Sequence, residues 1–321
     1  MTRRCSAIWS ISPSPMRIHK VTRAPFLKLA AFERRFRYPL GKTATFRISH
    51  GSDYSLFFRS MGRAVCFVAE KEGRIVGSAG ASILKLMRPD GAIRPAVYVG
   101  DVKVAPEERG GMVLHGLLSA IDHWAGGLED AFSVVMEGTS VAPDAYTGRA
   151  GIPAFKKLGE IVLWRLNCVR GDAVRAQRVS SVSECFARLN RGSCGHGAGR
   201  ASLRSRIAPV ALRLSDGSAC GLLEDTRRAK RLFADDGKEM VSAHLSLFAY
   251  REPRGGAALI RAAADLGARK GIPALFVAIP KGRVGELLPH MRGLKISSAP
   301  AAVYGSGFRA GYSWNINTSE V

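Results

Sequence analysis

The chain has 321 residues, 46% of them hydrophobic and 23% charged, and its 48 Lys and Arg against 26 Asp and Glu leave a formal net charge of +22. This is the composition of a globular chain long enough for two domains of ~150 residues each, with a charge that attracts polyanions without specifying a fold. No apolar run reaches the ~18 residues of a membrane helix, and the six cysteines include no CxxC pair, which points to a reducing, cytoplasmic setting.

Residues 1–40 begin MTRRCSAIWSISPSP, too rich in Ser and Pro for an export signal, and read as a basic tail. Ala44–Ser49 has strand character. DYSLFFRSMG has helical spacing and stops at Gly62, which reads as a C-cap. Two strands follow, joined by a tight turn at Glu72-Gly73, and then the longer strand PAVYVGDVKVA. Residues 110–125 read as a helix and AFSVVME as a strand. DAYTGRAGIPAFKKLG reads as a broken helix and EIVLWRLNCV as the strand that closes the unit.

Residues 173–205 (RGSCGHGAGR among them) read as a linker with one short helix at Ser183–Leu189. Cys185, Cys194 and His196 lie close in sequence, but their spacing fits no zinc pattern, so no metal is expected. From residue 206 the order of elements begins again. A hairpin turns at Asp216-Gly217 and TRRAKRLFA reads as helix. MVSAHLSLFAY is a long strand, GGAALIRAAADLGARKG a helix and PALFVAIP a strand, with GELLPHMRG and AAVYGSGF closing the unit. Arg254 follows Arg109 by 145 residues, each in an Arg-Gly-Gly that follows a long strand. This internal repetition predicts a basic tail (1–40), one unit over 41–172, a linker (173–205) and a second unit over 206–321.

VGDVKVAPEERGGMVLHGLL (99–118) places two glycines between a strand and a helix. A helix N-terminus aims free backbone N–H groups at one point, and glycines remove side chains that would keep an anion away. The turn is therefore a pyrophosphate cradle in outline.

With Asp101, Val104, Pro106, Arg109 and Gly110 in the pattern D-x-x-V-x-P-x-x-R-G, residues 44–169, and more faintly 206–310, resemble the GCN5-related N-acetyltransferase family. The resemblance implies an α/β chain of two tandem units, each a mixed, mostly antiparallel sheet flanked by helices. It implies acetyl-CoA as cosubstrate, held by Val102, Val104, Arg109, Gly110, Gly111, Met112, Val113 and Leu114, with acetyl transfer to an amine on a small molecule or peptide. Met112 and Leu114 stand where the family pattern has small residues. The second copy reads Arg254-Gly255-Gly256-Ala257, with Leu259 at the second small position.

The reaction needs a neutral amine, a polarised carbonyl and a proton for the thiolate. Asp101 and Glu137, at the ends of adjacent strands, are candidate bases. Phe155 stands where the family usually has a tyrosine acid, four residues before Gly159, and Tyr146 is the candidate substitute. His244 and His290 are further groups able to exchange protons near neutral pH. Two other readings stay open: a transferase using aminoacyl-tRNA, which the charge suits, and a binding protein with decayed sites. No specific nucleic-acid or membrane partner is expected, and the oligomeric state is undetermined.

Overall fold

The computed structural model describes residues 16–21, 27–40, 44–139, 141–146, 154–171 and 176–321. Residues 16–40, expected in a tail, carry β1 (Arg17–Lys20), α1 (Leu27–Glu33) and β2 (Tyr38–Leu40), with Leu29 and Phe32 buried. β3 (Ala44–Ser49) lies where predicted. α2 (Tyr54–Met61) starts at Asp53, whose carboxylate accepts from the Ser55 and Leu56 N–H groups, an N-cap bond. Gly62 ends it in extended backbone, not in the left-handed turn expected of a C-cap. A side chain there would lie 2.1 Å from the Ile83 carbonyl oxygen, so close approach explains the glycine.

β4 (Arg63–Lys71) and β5 (Arg74–Met87) form the predicted hairpin, with Glu72 and Gly73 at φ 52° and 72°. β6 (Ile93–Val104), α3 (Val113–Ala125) and β7 (Ala131–Met136) follow as a parallel crossover. The broken helix expected over DAYTGRAGIPAFKKLG is replaced by a single turn, Pro143–Tyr146, and by β8 (Lys156–Asn167). Residues 147–153 of that expectation lie outside the described residues.

The expected linker is built into the fold: β9 (Gln177–Val179), α4 (Ser183–Leu189), β10 (Ser193–His196) and α5 (Ala201–Arg204). β11 (Val210–Arg213) and β12 (Ala219–Asp225) make the second hairpin. The helix expected over TRRAKRLFA is instead a turn and β13 (Arg231–Ala234), which pairs with β3, Leu232 opposite Ile48. Tertiary pairing overrides the local helical spacing here. β14 (Ala243–Tyr250), α6 (Pro253–Arg269) and β15 (Ala274–Pro280) are the second parallel crossover. α7 (Val284–Leu287), β16 (Ile296–Ser306) and β17 (Ser313–Asn315) complete the chain.

The main sheet runs β1-β4-β5-β6-β7-β16-β8-β15-β14-β12-β11-β9, and β13-β3-β2 form a small second sheet. The two halves exchange their last strands. β16 lies against β7, β8 lies against β15, and β8 and β16 pair antiparallel at the centre. The cores follow the exchange. Ala301 and Val303 of β16 are buried with Phe58, Leu117 and Phe132 of the first half, while Trp164 and Leu166 of β8 are buried with Leu223, Leu259 and Val277 of the second.

Candidate active site

The crossover strands diverge in both halves. β6 and β7 pair only at Val97–Ala131 and Tyr98–Phe132, and β14 and β15 only at Ala243–Leu275 and His244–Phe276. Each V is opened further by a bulge on its first strand. The β5–β6 register shifts between Ser78 and Gly80, with Asp101 at φ 54°. The β12–β14 register shifts between Cys220 and Leu222, with Leu247 at φ 50°. A left-handed non-glycine residue is costly and persists only where its surroundings hold it.

The two bulges are held by different groups. The second V is filled by residues 315–320. Asn317 Oδ1 accepts from the Leu247 N–H at 2.8 Å, Asn315 donates to Phe248 O at 2.7 Å, and the Ser319 and Ser246 hydroxyls meet at 2.8 Å. The first V is open. It forms a cavity of about 630 Å³ walled by Val99–Val104 of β6 and Ser133–Met136 of β7, and roofed by Tyr38–Leu40, Phe46 and Ile48 of the small sheet.

Arg109 and Leu114 line one end of this cavity. A short 3-10 turn, Pro106–Glu108, precedes them. Gly110 has φ 81° with open space where a side chain would start, and Met112 caps α3 without a side-chain hydrogen bond. The first N–H groups of α3 are thus left without a side-chain acceptor, beside an exposed Arg109 that makes no ion pair among the described residues. Val113 turns into the core, Met112 is 58% exposed, and Leu114 contributes to the cavity wall. In the second half, α6 begins at once after β14. A side chain on Gly256 would lie 2.7 Å from the Tyr250 ring, and Arg283 covers that ring at 3.8 Å.

Asp101 sits at the apex of the first bulge. Lys103 and Tyr54 bond its carboxylate, and Tyr38 Oη donates to it at 3.2 Å. Burial works to raise its pKa, but Lys103 and then His50 outweigh this and hold the carboxyl well below its usual range. Burial and the Asp101 charge push the Tyr54 and Tyr38 hydroxyls up. Glu33, His50 and Asp101 converge, each with a ligand atom within 4.8 Å of the others, yet the Lys103 ammonium stands among them, 3.8 Å from Glu33. Cys185, Cys194 and His196 do not converge: His196 pairs with Glu320 at 2.9 Å, and Cys185 faces the Gly217 carbonyl. Glu137 is exposed just past β7, between Met136 and Gly138, which line the cavity. Tyr146 ends the turn Pro143–Tyr146, and its side chain is outside the described residues.

The far end of the cavity belongs to the second half. Lys230, His244, Phe276 and Thr318 line it. The buried Lys230 amine lies 4.5 Å from the centroid of the Phe57 ring and donates to the Val321 main-chain oxygen. Burial, then the Arg204 charge, lower its pKa to about 7. His244 is stacked on Phe276 and bonded through Nδ1 to Thr318 Oγ1 at 2.9 Å. Burial, then Lys230 and Arg204, hold its pKa well below the usual imidazole range. Sequence spacing offers no signal for Lys230, which lies in the misread TRRAKRLFA. The sequence marks His244 as a strand histidine able to exchange protons, but no spacing brings it to this cavity.

No family model and no curated protein matches the chain. Solved structures do. The chain is similar to Saccharomyces cerevisiae N-myristoyltransferase with bound myristoyl-CoA, at 11% identity and TM-score 0.61, over 97% of this chain and 89% of that one. It is also similar to a GCN5-related N-acetyltransferase from Anabaena variabilis, at 13% identity and TM-score 0.50, over 90% of this chain and 72% of that one. With parallel crossovers opening into a bulged V in each half, the chain has the GCN5-related N-acetyltransferase fold, built twice.

Proposed function

We propose that the chain is an N-acyltransferase that takes an acyl group, acetyl in the simplest case, from a CoA thioester to an amine. The observation that carries this is the asymmetry of the two V-shaped openings: the same architecture is open in the first half and filled by residues 315–320 in the second. One half is then the cofactor site. The residues there suit CoA. Gly110 and the first N–H groups of α3 offer backbone donors to the pyrophosphate, Gly111, whose own N–H goes to Glu108 O, leaves room for it, and Arg109 stands beside them. Val102, Val104, Val134 and Met136 give the pantetheine arm and a short acyl chain apolar walls. Backbone N–H groups near Val102–Val104 would polarise the thioester carbonyl.

Asp101 takes the role of brace. A carboxylate already bonded by Lys103, Tyr54 and Tyr38 is engaged rather than free to face an amine, and it secures the left-handed residue that opens the V. Glu137 stays a proposed proton carrier at the rim. Tyr146 stays the proposed acid.

Calorimetry with CoA tests the reading. A side chain at Gly111 points into nearly open space, with only Glu108 O at 3.4 Å, so Gly111→Ile would stand before the cradle and obstruct donors worth ~1.5–3 kcal/mol each. Gly111→Ile should weaken CoA more than Arg109→Ala, whose exposed contact is worth ~1 kcal/mol or less. A wild-type chain without heat at millimolar CoA would make it a decayed member of the fold. Equal affinity for wild type and Gly111→Ile would move the cofactor to another place.

A further inference from the structure

Acyl transfer to an amine needs a base, because most aliphatic amines arrive as ammonium ions and only the neutral form attacks a carbonyl. On the acyltransferase reading above, that base is one of the titratable groups of the cavity wall. Asp101 is engaged by three donors. Lys103 is bonded to Asp101, and Lys230 to the Val321 main chain. Arg37 pairs with Asp235 at 2.7 Å, and arginines do not give up their proton. His244 remains.

Its surroundings define how its ring is used. Thr318 Oγ1 lies 3.5 Å from the Phe276 carbonyl oxygen, to which it can only donate. With the threonine hydrogen directed at that carbonyl, the threonine oxygen accepts from His244 Nδ1–H at 2.9 Å and the lone pair lies on Nε2. Nε2 has no hydrogen-bond partner among the described residues and is not sealed from the cavity that the ring lines. The ring is fixed by the Phe276 stack, with centroids 5.4 Å apart.

We propose that His244, carried by the second half, is the proton acceptor for the amine that attacks a thioester held in the first half. Nε2 takes one proton from the ammonium. The freed nitrogen pair forms the C–N bond to the thioester carbonyl carbon, and the C–S bond breaks with its electrons on sulfur. The second proton lost by nitrogen goes to that thiolate, and the imidazolium returns the first to water. The charged groups around His244 set its resting form: Lys230 and Arg204 beside it, Glu224 opposite it on β12, Glu320 on the plug and Arg165 across the Phe276 ring. Burial and the first two of these keep the ring neutral and so open to a proton, and they also make it a weaker base than a free imidazole.

The test uses the full chain, acetyl-CoA and two probe amines, with release of the CoA thiol as readout. Glycinamide is largely an ammonium at neutral pH, and hydroxylamine is largely neutral. His244→Gln should lower kcat with glycinamide by roughly 100-fold at neutral pH, leave its KM nearly unchanged, and lose less as the pH rises and the amine deprotonates by itself. Hydroxylamine should be used at nearly the wild-type rate. Thr318→Val, which removes the orienting hydroxyl, should show the same amine selectivity with a smaller loss. CoA-binding heat should match wild type in both variants. An equal loss with both amines would mean a structural role and overturn the proposal, as would unchanged rates, or a wild type that binds CoA and releases no thiol to either amine. A wild type that binds no CoA removes the acyltransferase reading, and the assignment with it.

Discussion

At the scale of single residues, the site combines groups whose protonation is set by burial. Lys230 is buried among Phe57, Arg204 and His244, and its pKa falls to about 7 from an ordinary lysine value. The unfolded chain keeps the ordinary value, so above about pH 7 it binds more protons at this position than the folded chain does. Stability then rises with pH from about 7 towards the ordinary lysine range and is lowest below it. Thermal melts between neutral pH and about pH 9.5 should show that rise, and Lys230→Met should flatten it while raising stability most at the low end. A slope unchanged by the substitution would assign it to another group. None of this is legible in sequence. The D-x-x-V-x-P-x-x-R-G spacing sets Asp101 on the long strand and Arg109 in the turn that follows it, but it cannot tell that Lys103 and two tyrosines have already claimed the Asp101 carboxylate. Nor does it show that Met112 points outward, or that the bulk of Val113 is absorbed against Gly77 in the core.

At the scale of elements, the parallel crossovers are legible because their period-2 strands and amphipathic helices bury one face each. β13 and the first four residues of β8 are not, because what makes them strand is a partner far away in the chain. Arg231–Ala234 has helical spacing but pairs with β3, and Lys156–Gly159 follows a break yet lies opposite β16. Gly159, which the family pattern sets after a helical tyrosine, is a glycine for a different reason: a side chain there would meet the Trp314 ring at 2.8 Å. The segment holding Trp314 also fills the second V, and Asn317 is its main tie. Its amide oxygen accepts from Leu247, and its NH2 donates to Glu320 at 3.0 Å. Asn317→Ala would leave a buried N–H and part of a buried carboxylate unsatisfied, at a cost of about 2–4 kcal/mol. Denaturant melts should show that loss. CoA affinity should stay at the wild-type value, since the first V makes no use of Asn317. A variant of full stability would show that the plug is held elsewhere.

At the scale of the whole molecule, the exchange of β8 and β16 makes the halves interdependent. The repeat in the sequence suggests two units divided at a linker near residue 172. The sheet instead runs through that division, because a strand's neighbours are chosen by edge pairing and burial, which no local pattern encodes. A buried ionic cluster adds to the union. Arg204, in the former linker, donates to Glu224 and Glu320 at 2.8 Å and to Ser60 of the first half at 3.3 Å. The exchange also suits the proposed base on β14 to the proposed cofactor site between β6 and β7: the central pair β16-β8 joins the two crossovers in one sheet, and one cavity is lined from both. A chain cut near residue 172 should therefore give two fragments that do not fold alone. Residues 1–172 would expose β8 with neither of its neighbours, β16 and β15, and leave the outer edge of β7 bare. Such apolar strand edges favour aggregation over folding. Co-expressed, the fragments should assemble, since the cut falls between elements and breaks none of the pairings. Near-ultraviolet circular dichroism and size-exclusion chromatography of each fragment and of the pair decide the matter. A first fragment that is monomeric, cooperative in its melt and able to bind CoA would show that each half closes its own sheet, and that the exchange is dispensable.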